Sequence, residues 1–357
     1  MSISMLIHTI LIVPRDHMNA RYDGAILSFL IGPAIGGVLV YAYTRSLSKF
    51  KGKGLPEIAA ERLPKALSLP LVLGAGLMSF IAGGMAWIHC AFIISKYLNP
   101  DMSPYALLIL FVIVTCAGAV QTSKTVLFST EIIYIVCVPL LVVLLIHGLF
   151  SKSMNYDSVK VMLDYTWVMP SWSSLSAATN TFAGYMALSV FNRTFPADKQ
   201  IKHLWLIPAV GLILELFSFF IPIGFHGTDG VDDYIYTWVS TVDAFRMKYL
   251  LIERVVSIYL LILLVVTYVF TMITWHVGAE LVTGAFRIRP PKKASLRTQL
   301  PRLAVCVLIG IGTVIAGARF DETTLFKASS FWMGIRMPLD VLIVFAVVLL
   351  SRWRLKA

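Results

Sequence analysis

Charge is scarce in this sequence: only 14% of its 357 residues are Asp, Glu, Lys or Arg, while 58% are hydrophobic. A water-soluble chain of this length carries more charge, because its surface faces water. Apolar runs long enough to cross a bilayer instead recur from one end to the other. The sequence therefore predicts an all-α, polytopic membrane protein, surrounded by lipid and folded as a single domain over residues 1–357.

Cysteine is also rare, and the motifs of common catalytic and metal sites are absent. All four cysteines fall within apolar runs and far apart, which favours small buried side chains over a metal cluster. They are Cys90, Cys116, Cys137 and Cys306. His89, His147 and His276 lack metal-ligand spacing, and hydrogen-bonded histidines are favoured there. No HExxH, GxSxG, Walker A or CxxC motif occurs. We therefore expect no enzyme, no metal site and no cofactor.

The formal charge of +11 does not indicate nucleic-acid binding, because the Lys and Arg residues stand in short loops between apolar runs. Cytoplasmic loops of membrane proteins carry such an excess. The largest clusters follow the second and the eighth run, and a smaller one ends the chain. This asymmetry predicts that both termini are cytoplasmic. The loop from Asp229 to Asp243 then lies on the outer side.

Ten apolar runs organise the chain. They cover about residues 1–13, 25–43, 69–98, 105–120, 126–150, 175–191, 204–225, 250–286, 303–318 and 331–350. The first is too short to span a bilayer, so it is either half of a broken helix or the remainder of a helix whose natural start is missing. Gly32 and Gly36 in the second run have the GxxxG spacing of closely packed helices.

The first and sixth runs occupy corresponding places if residues 1–150 and 172–318 form two five-helix repeats, with 331–350 as a tenth helix. Both runs are short and interrupted. In transporters with inverted repeats, broken helices at such positions expose backbone groups to a solute near the bilayer midplane. The stretch from Asn180 to Tyr185 suits this role, and a short helix with glycine for packing is an equally good interpretation.

The eighth run, residues 250–286, combines a charged head with a hydroxylated interior. It begins near Glu253 and Arg254, and it carries Thr267, Thr271 and Thr274 among apolar residues. Lipid does not stabilise such hydroxyls, whereas a partner helix or a solute does. The run therefore favours a solute pathway.

Three carboxylates stand in or beside apolar runs. A charge at the centre of a membrane helix costs roughly 2.5–3.5 kcal/mol, so each needs a partner, a proton or water. For Glu215 the alternatives are proton coupling and a neutral or paired structural carboxyl. Glu280 is expected at a solvated interface, near the basic inner end of its helix, and Glu131 has no assigned role. Arg336 and Asp340 are four residues apart and are expected to pair.

Several stretches resemble the permease-like B subunit of spore germinant receptors, the spore permease family of the amino acid/polyamine/organocation transporter superfamily. The order and spacing of these stretches, over nearly the whole chain, carry the resemblance. They are Leu11 to Arg15, Asp23-Gly24, Leu55 to Lys65, Ser103-Pro104, Gly118 to Lys124, Thr181-Phe182-Ala183-Gly184-Tyr185 and Ile252-Glu253-Arg254. This chain departs from the family pattern at Met186, where a carboxylate is common.

The resemblance implies about ten transmembrane helices in a LeuT/APC-type five-helix inverted repeat, with helices 1 and 6 broken. It implies a place in the spore inner membrane, a small germinant such as an amino acid, and complex formation with an A subunit and a lipoprotein C subunit. Solute would lie between helices 1, 3, 6 and 8. The implied solute-binding residues are Thr9, Ser79, Gly83, Thr181, Gly184, Tyr185, Phe270 and Thr274.

The leading hypothesis is thus a germinant-sensing membrane subunit. The alternative of the same fold is a secondary transporter that moves amino acids with protons, for which Glu215 is the coupling candidate. A third hypothesis, from another class, is a subunit that binds no solute and only assembles the receptor. Fold alone does not separate these three.

Overall fold

The computed structural model describes residues 1–50, 52–195, 201, 203–245, 255–288 and 295–352, with the backbone alone at 296 and 297. Within these ranges the regular elements are helical and none is a β-strand, which confirms the all-α prediction. The α-helices are α1 (Ser2–Ile7), α2 (Val13–Asn19), α3 (Ala25–Leu47), α4 (Leu55–Arg62), α5 (Lys65–Tyr97), α6 (Pro104–Ala119), α7 (Ser123–Leu149), α8 (Tyr156–Leu163), α9 (Trp172–Asn180), α10 (Leu188–Phe191), α11 (Leu206–His226), α12 (Thr237–Asp243), α13 (Val255–Ala285), α14 (Leu296–Arg319) and α15 (Glu322–Arg352).

Seven helices in the described part of the chain are long and apolar enough to cross a membrane. They are α3, α5, α7, α11, α13, α14 and α15; α6 is apolar but shorter. The chain is therefore an integral, multi-pass membrane protein. Helices α14 and α15 begin several residues before the apolar runs predicted at 303 and 331. A helix satisfies its own backbone hydrogen bonds, so it continues past the end of an apolar run into polar sequence.

The first and sixth runs are interrupted helices. The first does not end at Val13, as its hydropathy predicts, but passes through a π-helical turn, His8–Ile12, and continues to Asn19. In the sixth, α9 ends at Asn180 and a 3-10 turn, Ala183–Ala187, separates it from α10. Turns of these kinds inside a helix are frequent at functional sites.

Small residues let these segments approach their neighbours. The sixth run, α9 with its 3-10 turn, packs between α3 and α15. A Cβ built on Gly32 would lie 2.6 Å from the Ala178 Cβ, and one on Gly36 would lie 2.5 Å from the Phe182 ring. The GxxxG spacing of α3 thus marks close helix packing, as predicted.

Helix α13 is the central helix, and it packs most extensively along α5. Its buried residues include Thr267 and Thr271. The Thr267 hydroxyl donates to the Leu263 carbonyl in its own helix at 2.7 Å, and the Thr271 hydroxyl donates across to the Gly83 carbonyl at 3.3 Å. Glu253 and Arg254, the predicted charged head of this run, lie outside the described residues.

Candidate functional site

A cavity of about 420 Å³ lies between α1, α5, α7, the 3-10 turn after α9, and α13. Its volume is in the range of small-molecule sites. The wall is mostly apolar, and its polar side chains come from five different helices: Ser2, Ser4, Ser79, Thr130, Glu131, Tyr134, Thr274 and Arg336. An apolar cavity with a few convergent polar groups is the arrangement expected of a solute site.

Four of the predicted solute-binding residues line this cavity: Ser79, Gly184, Phe270 and Thr274. The Ser79 hydroxyl donates to the Ala75 carbonyl at 3.0 Å, and the Thr274 hydroxyl donates to the Phe270 carbonyl at 3.0 Å. Each hydroxyl oxygen keeps a free lone pair, so both can still accept a hydrogen bond from a solute.

Gly83 and Thr9 do not line this cavity. Gly83 faces α13, where a Cβ would lie 2.5 Å from Thr274 Oγ1, so this glycine closes the contact between α5 and α13. The buried Thr9 hydroxyl donates within its own helix, to the Met5 carbonyl at 2.9 Å. Thr9 borders a separate, far smaller space of about 20 Å³ beside α11 and α12.

Thr181 and Glu215 form a second buried polar group, and Tyr185 is buried separately beside Tyr43, with the two ring centroids 5.3 Å apart. The Thr181 side chain lies near the Glu215 carboxyl. Glu215 has no exposed surface, and neither of its carboxyl oxygens has a hydrogen-bond partner among the described residues. The hydroxyls of Thr181 and Tyr185 also lack partners there. The prediction for Glu215, either proton coupling or a neutral or paired structural carboxyl, stays a prediction.

Arg336 is a cavity residue that the sequence argument did not assign to the site. It pairs with Asp340 as predicted, with Arg336 Nε 3.4 Å from Asp340 Oδ2, and both side chains are more than nine-tenths buried. The available signal was its position, since a charged residue inside an apolar run is a functional candidate by default. Ser4, Thr130 and Tyr134 also line the cavity, but they are uncharged, so their positions in the sequence did not mark them as site residues.

The position predicted for Glu280 is wrong. Glu280 is buried rather than solvated, because two arginines neutralise it. Arg193 Nη1 donates to Glu280 Oε2 at 2.7 Å, and Arg302 Nε donates to Glu280 Oε1. Arg193 also pairs with Glu57 at 2.7 Å. This network joins α4, the turn after α10, α13 and α14.

A second ionic contact lies just after α2, where the interrupted first run ends. The Arg21 guanidinium makes two hydrogen bonds to Asp232, at 2.9 and 2.6 Å. Tyr22 donates to Asp229 at 2.9 Å, and Arg15 donates to the Tyr234 carbonyl at 3.0 Å. The segment after α2 is thus fastened to the Asp-rich loop after α11.

Two of the three histidines and all four cysteines have the environments that the sequence predicts, whereas His147 Nε2 has no hydrogen-bond partner among the described residues. His89 Nε2 lies 3.0 Å from Ser329 Oγ, and His276 Nδ1 lies 2.8 Å from the Ala119 carbonyl oxygen. The four cysteines are free and buried. The described residues contain no group of three or more His, Cys, Asp or Glu side chains that could hold a metal ion.

A larger apolar groove, of about 970 Å³, lies between α6 and α14. Gln121 and Gln299 supply its polar side chains, and the remaining lining is apolar. Such a surface suits lipid tails or another helix, and it offers a polar solute few hydrogen bonds. The cavity beside Arg336 is therefore the better candidate site, although it is smaller.

Comparison with known proteins agrees with this membrane architecture. No curated protein matches the chain at a significant level. The family model of the spore permeases, described as spore germination proteins, matches residues 1–323. That range includes every lining residue of the 420 Å³ cavity except Arg336. Because the match extends over most of the chain, this protein belongs to the spore permease family of spore germination proteins.

Proposed function

We propose that this protein is a membrane subunit of a spore germinant receptor, which binds a small nutrient germinant of the amino acid class and signals germination. The observation that carries the proposal is the 420 Å³ cavity beside the interrupted first and sixth runs, with polar groups from five helices. Membership of a germination family supplies the biological context.

The fold proposed for this role has ten membrane-crossing segments. These are the seven long helices, α6, and the two interrupted runs. They are proposed to form two inverted repeats, about residues 1–150 and 172–318, with α15 as the tenth segment. Both termini are proposed to be cytoplasmic, in a protein of the spore inner membrane. The proposed partners are the receptor's A subunit and its lipoprotein C subunit.

The eight predicted solute-binding residues divide into two groups in this proposal. Ser79, Gly184, Phe270 and Thr274 contact the solute, since they line the cavity. The other four do not line the cavity, and in this proposal they position the helices that form it. Gly83 sets the spacing of α5 and α13, and Thr9, Thr181 and Tyr185 belong to the two interrupted runs.

One observation favours a second candidate function, proton-coupled amino acid transport. Glu215 is fully buried on α11, close to Thr181 at the interruption of the sixth run, and has no hydrogen-bond partner among the described residues. A carboxyl in this setting suits reversible proton binding. Sensing does not require such a group, so this function would make Glu215 essential.

A germination assay tests the proposed function. Spores lacking this protein are compared with the parent strain across amino acids, sugars and nucleosides, in a background without paralogous receptors. We expect loss of the response to one solute, restored by the intact gene. A response unchanged in that background would contradict the proposal, and uptake of labelled amino acids would then be measured.

A purely structural role makes a different prediction. Thr274→Ala removes a cavity hydroxyl without adding bulk, and Thr313→Ala, on α14, removes a hydroxyl that likewise donates within its own helix, to the Ile309 carbonyl at 3.0 Å. For a sensor, the first change weakens the germination response and the second does not, with equal protein levels in the membrane. Equal responses would support a subunit needed only for assembly.

A further inference from the structure

Arg336 brings a nearly desolvated positive charge to the 420 Å³ cavity. Its side chain is 7% exposed, and it belongs to α15, in the middle of an apolar segment. Its Nε has no hydrogen-bond partner among the described residues. Because a membrane-embedded guanidinium is costly, such residues almost always face a cavity or a partner, and Arg336 faces this cavity.

The contact with Asp340 does not use the full capacity of this guanidinium. An arginine has five N–H donors arranged as a planar fork. The distance from Arg336 Nε to Asp340 Oδ2 is 3.4 Å, beyond ordinary charge-assisted hydrogen bonds, and Asp340 Oδ1 has no partner among the described residues. Donors therefore remain for a carboxylate inside the cavity, which the fork can bind through two parallel hydrogen bonds.

The same cavity carries an opposite charge on another helix. Glu131 lies on α7 and lines the cavity together with Arg336. The rest of the polar lining is hydroxyl groups, from Ser2, Ser4, Ser79, Thr130, Tyr134 and Thr274. One guanidinium, one carboxylate and several hydroxyls in an otherwise apolar space are complementary to a small zwitterion. They are poorly matched to a neutral sugar, which has no charge to pair with either group.

We propose that Arg336 binds the carboxylate of a zwitterionic solute, an α-amino acid, and that Glu131 faces the ammonium group of that solute. This inference rests on the proposed function, because it identifies what the proposed sensory cavity recognises. It assigns ligand recognition to Arg336 and Glu131, neither of which is among the eight predicted solute-binding residues. Phe270, Ile273 and Val277 supply the apolar wall for the amino acid side chain.

The first experiment compares chemically matched probes on the unmodified protein. The full chain is purified into lipid nanodiscs, and its thermal unfolding midpoint is recorded with individual L-amino acids, glucose and adenosine. Each stabilising amino acid is then compared with its carboxamide and with its deaminated acid. We expect the carboxamide to bind about thirtyfold more weakly or worse, because it leaves the desolvated Arg336 without its charged partner. An amide that binds as tightly as the acid would overturn the inference.

The second experiment changes the two charged residues. Arg336→Lys is expected to keep part of the affinity, and Arg336→Gln combined with Asp340→Asn is expected to abolish it without leaving a lone buried carboxylate. Lys327→Gln is the matched control, since it removes an exposed positive charge from the same helix. Glu131→Gln is expected to weaken the amino acid but not its deaminated acid. Unchanged binding in the Arg336–Asp340 double variant would overturn the inference.

The outcomes separate this inference from the proposed function. Stabilisation by glucose or adenosine, with none by amino acids, would keep a sensor role with a ligand of another class and would overturn recognition by Arg336. If no probe binds, the sensor role fails, and the inference fails with it. If the double variant does not fold, the carboxamide comparison on the unmodified protein still decides.

Discussion

Arg193 and Glu280 meet inside the protein, with Arg193 Nη1 2.7 Å from Glu280 Oε2 and the Glu280 side chain only 2% exposed. Arg302, which has no exposed surface, donates to the other oxygen of Glu280. Arg193 also pairs with Glu57 on α4. One carboxylate therefore pairs with two cations, one at each oxygen, and it connects the end of the sixth run to α13 and α14.

Glu280→Gln is expected to destabilise the protein strongly. The substitution removes the carboxylate charge that neutralises two largely buried guanidinium groups. Removing one partner of a buried ion pair costs about 3–5 kcal/mol. The free energy of unfolding of the purified protein is measured by SDS titration in mixed micelles. Glu61→Gln is the control, because its pair with Lys53 is nearly half exposed, and such pairs contribute about 0–1 kcal/mol. Equal costs for both variants would contradict the central role of Glu280.

Gly83→Ala is expected to disturb the contact between α5 and α13. The new Cβ would lie 2.5 Å from Thr274 Oγ1 and 2.8 Å from Trp275 Cδ1, so the helices must move apart. Overpacking of this kind costs about 1–3 kcal/mol. Because Thr274 lines the cavity, ligand affinity is expected to fall as well.

Gly74→Ala is the matched control for that change. Gly74 lies on the same helix, and a Cβ there would meet nothing within 4 Å. Since alanine is a better helix former than glycine, Gly74→Ala should leave the unfolding free energy unchanged or raise it by up to about 1 kcal/mol. The two variants are compared by the same SDS titration. If Gly74→Ala lowered the unfolding free energy as much as Gly83→Ala, the effect would not come from the contact between α5 and α13.

Hydropathy was sufficient to predict the membrane helices, because each apolar run is a local property of the chain. The predicted runs lie within the observed helices or within a few residues of their ends in most cases, as for α6 and α11. The prediction for Glu280 failed because Arg193 stands 87 residues earlier in the chain. The sequence around either residue does not indicate that the two side chains meet.

The cavity was predictable only in part, for a related reason. Helix-face spacing correctly places Phe270 and Thr274 on one face, and both line the cavity. It does not reveal that Gly83, on the same face as Ser79, is covered by α13. Arg336 reaches the cavity from the last helix, so its role depends on tertiary packing. Its charge within an apolar run was nevertheless visible in the sequence.

Asp232→Asn is expected to loosen the contact between the segment after α2 and the Asp-rich loop. Arg21 loses its charged partner, and because the Asp232 side chain is 49% exposed, the cost is about 1–2 kcal/mol. Asp233→Asn changes the neighbouring exposed carboxylate as the control. Limited proteolysis of the loop should accelerate for the first variant alone. Identical proteolysis rates would mean that the Arg21 contact does not hold the loop.

Glu215→Gln separates sensing from proton-coupled transport. Glutamine has nearly the shape of the original side chain but cannot take up and release a proton. Glutamine keeps a hydrogen-bonding group beside Thr181, so the unfolding free energy should change little, which is the control for folding. For a sensor, spores with this variant germinate like the parent. For a transporter, proteoliposomes with the unmodified protein accumulate labelled amino acid under a proton gradient, and the variant does not. We expect the first result. A lost response from a stably folded variant, together with proton-dependent uptake by the unmodified protein, would instead assign this chain to transport, with Glu215 as the group that carries the proton.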